Sequence, residues 1–123
     1  MRPDRLLRAA LWTSAALNAL GVVVFVPLAV GRVSPLLPVP VSAFLAGQLV
    51  FVIALFGCVY LWLARQPVVD RPLLLVGGLG KLGFFVLAVV YAAVGDVPAQ
   101  VALSALPDVV LGVVFLRAGR AAG

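Results

Sequence analysis

Two ionisable residues lie deep inside apolar segments of this sequence, and they are the side chains most able to do chemistry. Lys81 lies about nine residues inside the third of four apolar segments, and Asp108 lies about eight residues inside the fourth. At a helical rise of about 1.5 Å per residue, both lie roughly 12–13 Å from the same end of their segments. If these segments form antiparallel helices around the turn at 95–97, position 81 falls within one helical turn of position 108. We therefore predict that Lys81 and Asp108 face each other.

Pairing lowers the cost of placing these two charges in an apolar interior. A single Lys or Asp at the centre of a membrane helix costs about 2.5–3.5 kcal/mol. No other acidic residue lies at this depth, so Asp108 is the expected partner of Lys81. A protonated, neutral Asp108 is the alternative. Two interpretations stay open: an ion pair that fixes the helix register, and a pocket that responds to protons or to a ligand.

Uncharged polar residues are expected to lie beside this pair. Asn18 lies roughly 15 Å along its helix from Arg8, on the same side. Ser104 precedes Asp108 by one helical turn and so shares its face. Pro107 cannot donate a backbone hydrogen bond, which favours a kink beside the acid. The candidate intramembrane polar site comprises Lys81, Asp108, Asn18 and Ser104.

Most other catalytic chemistries lack their residues in this chain. There is no His and no Glu, and the acids are Asp4, Asp70, Asp96 and Asp108. Without an imidazole, a Ser-His-Asp triad, a His-ligated haem and the His-containing zinc sites are excluded. Cys58 is the sole cysteine, so no intramolecular disulfide forms. We expect a non-enzymatic protein with no catalytic residue, no metal and no cofactor.

The composition is that of a membrane protein. In 123 residues, 65% are hydrophobic and 11% are charged, against about 45–50% and 25% in soluble domains. Each of four apolar segments is close to the roughly 20 residues that cross a bilayer as a helix. These segments span about 6–30, 41–64, 73–94 and 97–116. The sequence predicts an all-α fold, a single domain over 1–123 that forms an up-and-down bundle of four transmembrane helices.

The connections support this division. The segment 31–40 carries Pro35, Pro38 and Pro40, so it is not helical throughout, and its apolar character places it at the membrane interface. Asp70 and Asp96 each begin an Asp-x-Pro sequence. Because Asp caps helix starts and Pro fits the first turn, we predict that both cap the helices that follow them.

The arginines are distributed unevenly between the two predicted ends of the bundle. Seven flank the segments at the end that holds both termini, whereas Arg32 alone lies at the other. The positive-inside rule then predicts that both termini are cytoplasmic. The net charge of +5 is assigned to contacts with anionic lipid headgroups, not with nucleic acid. Abundant Ala, Val and Gly with Arg in place of Lys indicate a GC-rich bacterial genome, hence the inner (plasma) membrane.

The residues 78–83 read Gly-x-Gly-x-x-Gly, the pattern of a dinucleotide-binding turn. That reading needs a strand and a helix in water, whereas this stretch lies inside a membrane-length apolar run. We predict instead that Gly77, Gly80, Gly83 and Gly112 allow neighbouring helices to approach closely. Gln48 is predicted to form an interhelical hydrogen bond, and Cys58 and Tyr60 to pack against neighbouring helices.

The stretch 70–81, which reads DRPLLLVGGLGK, resembles that of small bacterial four-helix membrane proteins grouped with DoxX-like proteins. The resemblance spans the chain in hydropathy and helix number. Some DoxX-type proteins are membrane subunits associated with quinone-linked oxidoreductases. The resemblance therefore implies a membrane subunit, and no cofactor residue is matched.

Three classes of function remain. The first is an accessory or interaction subunit in the lipid bilayer, forming a homo-oligomer or joining a partner membrane subunit. The second is a small proton-linked transporter or channel subunit that uses Asp108. Small multidrug exporters share the length and the four spans, but use a Glu in the first helix where this chain offers Asn18. The third is a membrane enzyme that acts on a lipid or a quinone through Lys81 and Asp108. A small apolar ligand is an additional candidate partner.

Overall fold

All regular structure is helical in the computed structural model, which describes residues 1–34, 36–37 and 41–121. The helices are α1 (Arg5–Ala29), α2 (Ala43–Arg65), α3 (Arg71–Ala93), α4 (Ala99–Ser104) and α5 (Leu106–Ala121). Because α4 and α5 together form one span, four helices are long and apolar enough to cross a membrane. The all-α prediction is confirmed, and so is the predicted number of helices of membrane-spanning length and apolarity. The prolines at 35, 38 and 40 lie outside the described residues.

Two of the helices begin at an aspartate cap. The Asp70 carboxylate accepts a hydrogen bond from the Leu73 backbone N–H at 2.9 Å, which confirms the predicted cap of α3. Asp4 caps α1 in the same way, through Leu7 at 2.8 Å. The predicted cap at Asp96 is wrong, because α4 begins farther along the chain with Pro98 at its N-cap.

The fourth span is interrupted beside Asp108. The sequence predicts one segment over 97–116, whereas α4 ends at Ser104 and α5 begins at Leu106 and continues to Ala121. Pro107 has no N–H with which to continue the helical hydrogen bonds. The Asp108 N–H instead donates to the Ala105 carbonyl at 3.0 Å. The kink expected at Pro107 is thus a one-residue interruption, at Ala105, between α4 and α5.

The spans form two antiparallel hairpins. In the first, Arg8 donates to the Ala64 carbonyl at 2.6 Å, while Phe25, at the far end of α1, packs with Ala46. In the second, α3 runs antiparallel to α4 and α5, with Ala88 packed against Val101. Each hairpin is closely packed internally, and fewer contacts join one hairpin to the other.

The hairpins meet most closely at the end that carries both termini. The buried side chains there come from all the long helices and include Leu11, Leu63, Leu74 and Phe115. The Arg71 side chain donates to the Gly119 carbonyl at the same end. This core joins the two hairpins. The polar residues lie farther from the termini along the bundle, next to cavities.

Candidate polar site inside the bundle

Lys81 and Asp108 form an ion pair between α3 and α5. The Lys81 Nζ lies 2.7 Å from the Asp108 Oδ1. The side chain of Lys81 is 4% exposed and that of Asp108 is 21% exposed. The predicted contact is confirmed, and it places a charge-assisted hydrogen bond in the bundle interior.

Tyr60 completes the surroundings of the Lys81 ammonium group. The Lys81 Nζ lies 4.8 Å from the centroid of the Tyr60 ring, which is the geometry of a cation–π contact. The Tyr60 hydroxyl donates to the Gly77 carbonyl at 3.0 Å. The sequence predicts Tyr60 only as a packing residue. Antiparallel register brings the two residues to a similar level, because Tyr60 lies eight residues before and Gly77 nine residues after the centre of the 66–70 connection, but register does not determine which way the ring faces.

Asn18 and Ser104 lie near the ion pair but are not hydrogen-bonded to it. The Asn18 Nδ2 donates to the Ile53 carbonyl on α2 at 2.9 Å. The Ser104 hydroxyl donates to the Val101 carbonyl of its own helix at 2.7 Å. Both residues line the same cavity as Asp108 and therefore lie near it. The four predicted site residues therefore share one region, although only Lys81 and Asp108 touch through polar atoms.

Two cavities of about 160 Å³ each adjoin the pair. The first is lined by the pair, by Tyr60, and by residues of α2 and α3. The second lies between α1 and the α4–α5 break and is lined by Ser104, Pro107 and Asp108. Asp108 and Asn18 line both cavities, so a carboxylate and an amide are the polar groups common to them.

Ser14 is a buried polar residue of α1, fully shielded from solvent. Its hydroxyl has no hydrogen-bond partner within the part of the chain that the structure describes. The sequence places it on the face of Asn18, one turn away, and that periodicity is the signal for its inward orientation.

Two of the predicted packing glycines lie at tight helix contacts. A Cβ on Gly77 would lie 2.8 Å from the Tyr60 ring, and a Cβ on Gly112 would lie 3.1 Å from the Gly78 carbonyl oxygen. Gly119 has the same role against Leu75 and was missed, because it lies beyond the predicted end of the fourth segment.

The other two glycines have more space around them. A Cβ on Gly80 would lie 3.5 Å from Phe56, an ordinary contact distance, and one on Gly83 would meet nothing within 4 Å. Gly83 lies on the outer face of α3, so a close approach there would involve a helix of another molecule, and that part of the prediction stays a prediction.

Gln48 lies on the outer surface of α2. The predicted interhelical hydrogen bond is not formed: Gln48 is exposed and has no hydrogen bond to the described residues. Ala46 is the buried residue of this turn of α2. Gln48 follows two positions later and therefore points to roughly the opposite side of the helix. Cys58 is exposed on α2 as well and does not pack inward as predicted.

No known protein family, curated protein or solved structure matches this chain. The fold and the site therefore define its class: an all-α bundle of four helices of membrane-spanning length, with an ion pair between the third and fourth spans. The resemblance to DoxX-like proteins stays a prediction.

Proposed function

We propose that this chain is a multi-pass protein of a bacterial inner membrane, with both termini in the cytoplasm, and that it acts as a non-enzymatic accessory or interaction subunit. Four apolar helices with seven arginines at one end support this placement. The two interior charges are paired with each other, which supports a structural use of that pair.

The observation that carries the interaction role is the position of Gln48. In a bilayer its outward-facing amide would lie among lipid chains, about 8 Å from the start of α2. A primary amide has donors and acceptors that hydrocarbon cannot satisfy. Membrane helices meet such demands through hydrogen bonds to another helix. Gln48 shares a shallow groove with Phe44, Gly47 and Phe51, where a helix from another molecule can approach closely.

We propose a second copy of the chain as the occupant, because two copies of Gln48 satisfy each other's donors and acceptors across a two-fold axis. The test is disulfide cross-linking in native membranes of Gln48→Cys in a Cys58→Ala background. A cross-linked dimer is expected. Leu79→Cys in the same background is the control, because Leu79 is also exposed, lies on α3 and is outside this groove.

Cross-linking equal to that of the control would contradict the homo-oligomer. A photoreactive residue at position 48 would then show whether a different membrane subunit occupies the groove. Cross-linking only to lipid at that position would overturn the interaction role. A Gln48→Leu variant that lowers the dimer fraction at least fivefold in mild detergent would support the amide contact.

A second candidate function is proton-linked transport that uses Asp108. The observation in its favour is the exposure of the Asp108 carboxylate to two cavities. Proteoliposomes that contain a pH-sensitive dye would test it. Substrate-driven proton flux that is lost in Asp108→Asn would support transport, and flux equal to that of empty liposomes would exclude it.

A further inference from the structure

The two cavities adjoin each other between the hairpins, and together they are called the crevice. They share four lining residues: Asn18, Ile53, Phe84 and Asp108. The first cavity lies between α2 and α3, with the half-exposed Val52 in its lining. The second lies between α1 and the α4–α5 break, with the exposed Leu20 in its lining. The crevice therefore reaches the outer surface of the helices on two sides of the bundle.

The depth of this crevice selects the kind of molecule that can enter. Asn18 lies about ten residues, hence about 15 Å, along its helix from Arg8. That is near the middle of a hydrocarbon core about 30 Å thick. A charged or zwitterionic headgroup would have to leave water to reach this level, at a large cost in free energy. The entrant is therefore an uncharged and mainly apolar molecule.

The polar atoms at the centre of the crevice select its functional group. Lys81 is already bonded to the Asp108 Oδ1, and the Asn18 Nδ2 is bonded to the Ile53 carbonyl. The Asp108 Oδ2 and the Asn18 Oδ1 are the remaining atoms of these two groups, and both are acceptors. Because the ion pair is neutral overall, a neutral hydrogen-bond donor suits the site better than a cation does.

We propose that this crevice binds a neutral apolar molecule that carries one hydroxyl group. The hydroxyl donates to Asp108 or Asn18, and the hydrocarbon part lies against Ile53 and Phe84. Each cavity has about the volume, 160 Å³, of an engineered apolar cavity that holds one benzene ring. A chain of about ten carbons that occupies both cavities therefore matches the space.

Photolabelling tests this proposal with a diazirine derivative of decan-1-ol and the purified full-length chain in mild detergent. We expect labelling at residues that line the crevice, with at least a fivefold decrease when a tenfold excess of unlabelled decan-1-ol is added. The same diazirine on decane, which lacks the hydroxyl, is expected to label these residues at least fivefold less. Equal labelling by the two probes, or labelling spread over lipid-facing residues such as Leu79, would overturn the proposal.

A pair of neighbouring variants shows whether the labelled molecule lies in the crevice. Val24 lines the second cavity, so a tryptophan at this position fills it. Val23 is 70% exposed and points outward one residue earlier. Val24→Trp is expected to reduce labelling by decanol at least fivefold and Val23→Trp to leave it unchanged. Equal effects of the two variants would contradict binding in the crevice.

Recognition of the hydroxyl is tested by removing the acceptors. Asn18→Leu is expected to bring the labelling ratio of decanol to decane close to one where the hydroxyl donates to Asn18, and to leave the ratio unchanged where the hydroxyl donates to Asp108. Since this change also removes the hydrogen bond to Ile53, the double variant Lys81→Met/Asp108→Leu provides a second measurement without an unpaired charge. If both variants fold, as judged by helical circular dichroism, and both keep the preference for decanol, the proposed recognition is wrong. This result does not depend on cross-linking at position 48.

Discussion

Breaking the Lys81–Asp108 pair is expected to destabilise the bundle strongly, and breaking it from the Asp108 side is expected to cost more. Removing one partner of a buried pair costs about 3–5 kcal/mol, because the other charge is left uncompensated. Lys81 is 4% exposed and has no second anion beside it among the described residues, whereas Asp108 is 21% exposed and faces two cavities. We therefore expect a loss of about 3 kcal/mol for Asp108→Asn and about 2 kcal/mol for Lys81→Met.

The double variant distinguishes pairing from two independent effects. With both charges removed, no uncompensated charge remains, and we expect a loss of only about 1–2 kcal/mol. The coupling energy is then about 3 kcal/mol or more. Reversible unfolding by SDS from mild detergent micelles measures these free energies. Leu79→Met is the control for an exposed substitution on α3 and should change stability by less than about 0.5 kcal/mol.

A coupling below about 0.6 kcal/mol, the average for ordinary hydrogen bonds between membrane helices, would refute this reasoning. The pair would then contribute no more than a neutral contact, and its charges would have to be explained by transport or by ligand binding. A larger loss for Lys81→Met than for Asp108→Asn would contradict the asymmetry inferred from the exposures of the two side chains.

Three further predictions concern separate parts of the bundle. Ser14→Ala is expected to stabilise the protein by about 1 kcal/mol in the same SDS assay, because the buried hydroxyl lacks a hydrogen-bond partner among the described residues. A loss of stability would show that the hydroxyl is hydrogen-bonded in the folded protein. Gly112→Ala is expected to destabilise the protein by about 1–3 kcal/mol, because its Cβ would lie 3.1 Å from a backbone oxygen. Gly83→Ala should be neutral or stabilising. Equal effects of the two variants would contradict the assigned helix faces. In inside-out vesicles, Arg120→Cys in a Cys58→Ala background should react with a membrane-impermeant maleimide. Arg32→Cys in the same background should react only after the vesicles are permeabilised. The reverse pattern would contradict the proposed topology.

The fold could be predicted because its main signals are local in the sequence. Apolar runs of membrane length gave the four spans, and antiparallel register around the 95–97 turn brought position 81 to position 108. The cap at Asp70 follows from a helix start at the next residue. The cap at Asp96 failed because the same Asp-x-Pro sequence is followed by a later start, at Ala99. Where a helix begins after a turn depends on how the turn packs, and an Asp-x-Pro sequence alone does not determine it.

The parts of the site that the sequence missed depend on contacts between hairpins. Whether Tyr60 packs generally or covers an ammonium group is decided by the rotation of α2 relative to α3. The outward position of Gln48 is likewise a matter of rotation, because most faces of α2 are apolar and its pattern does not distinguish a buried side. Gly83 and Gly112 differ for the same reason: similar glycines lie on different faces of their helices, and only the packed bundle shows which faces meet.

Because of where the ion pair lies, its contribution to stability can be measured separately from ligand binding in the crevice. Lys81 and Asp108 join α3 to α5, which belong to the same hairpin, and the pair reaches the other hairpin through the cation–π contact of Lys81 with Tyr60. The hydrogen bond from Tyr60 to Gly77 also crosses between the hairpins, next to the core at the end that carries both termini, and it does not involve the pair. Neutralising the pair should therefore loosen one hairpin internally and leave the crevice between the hairpins in place. That is why the doubly substituted protein can report on hydroxyl recognition while the single variants report on stability.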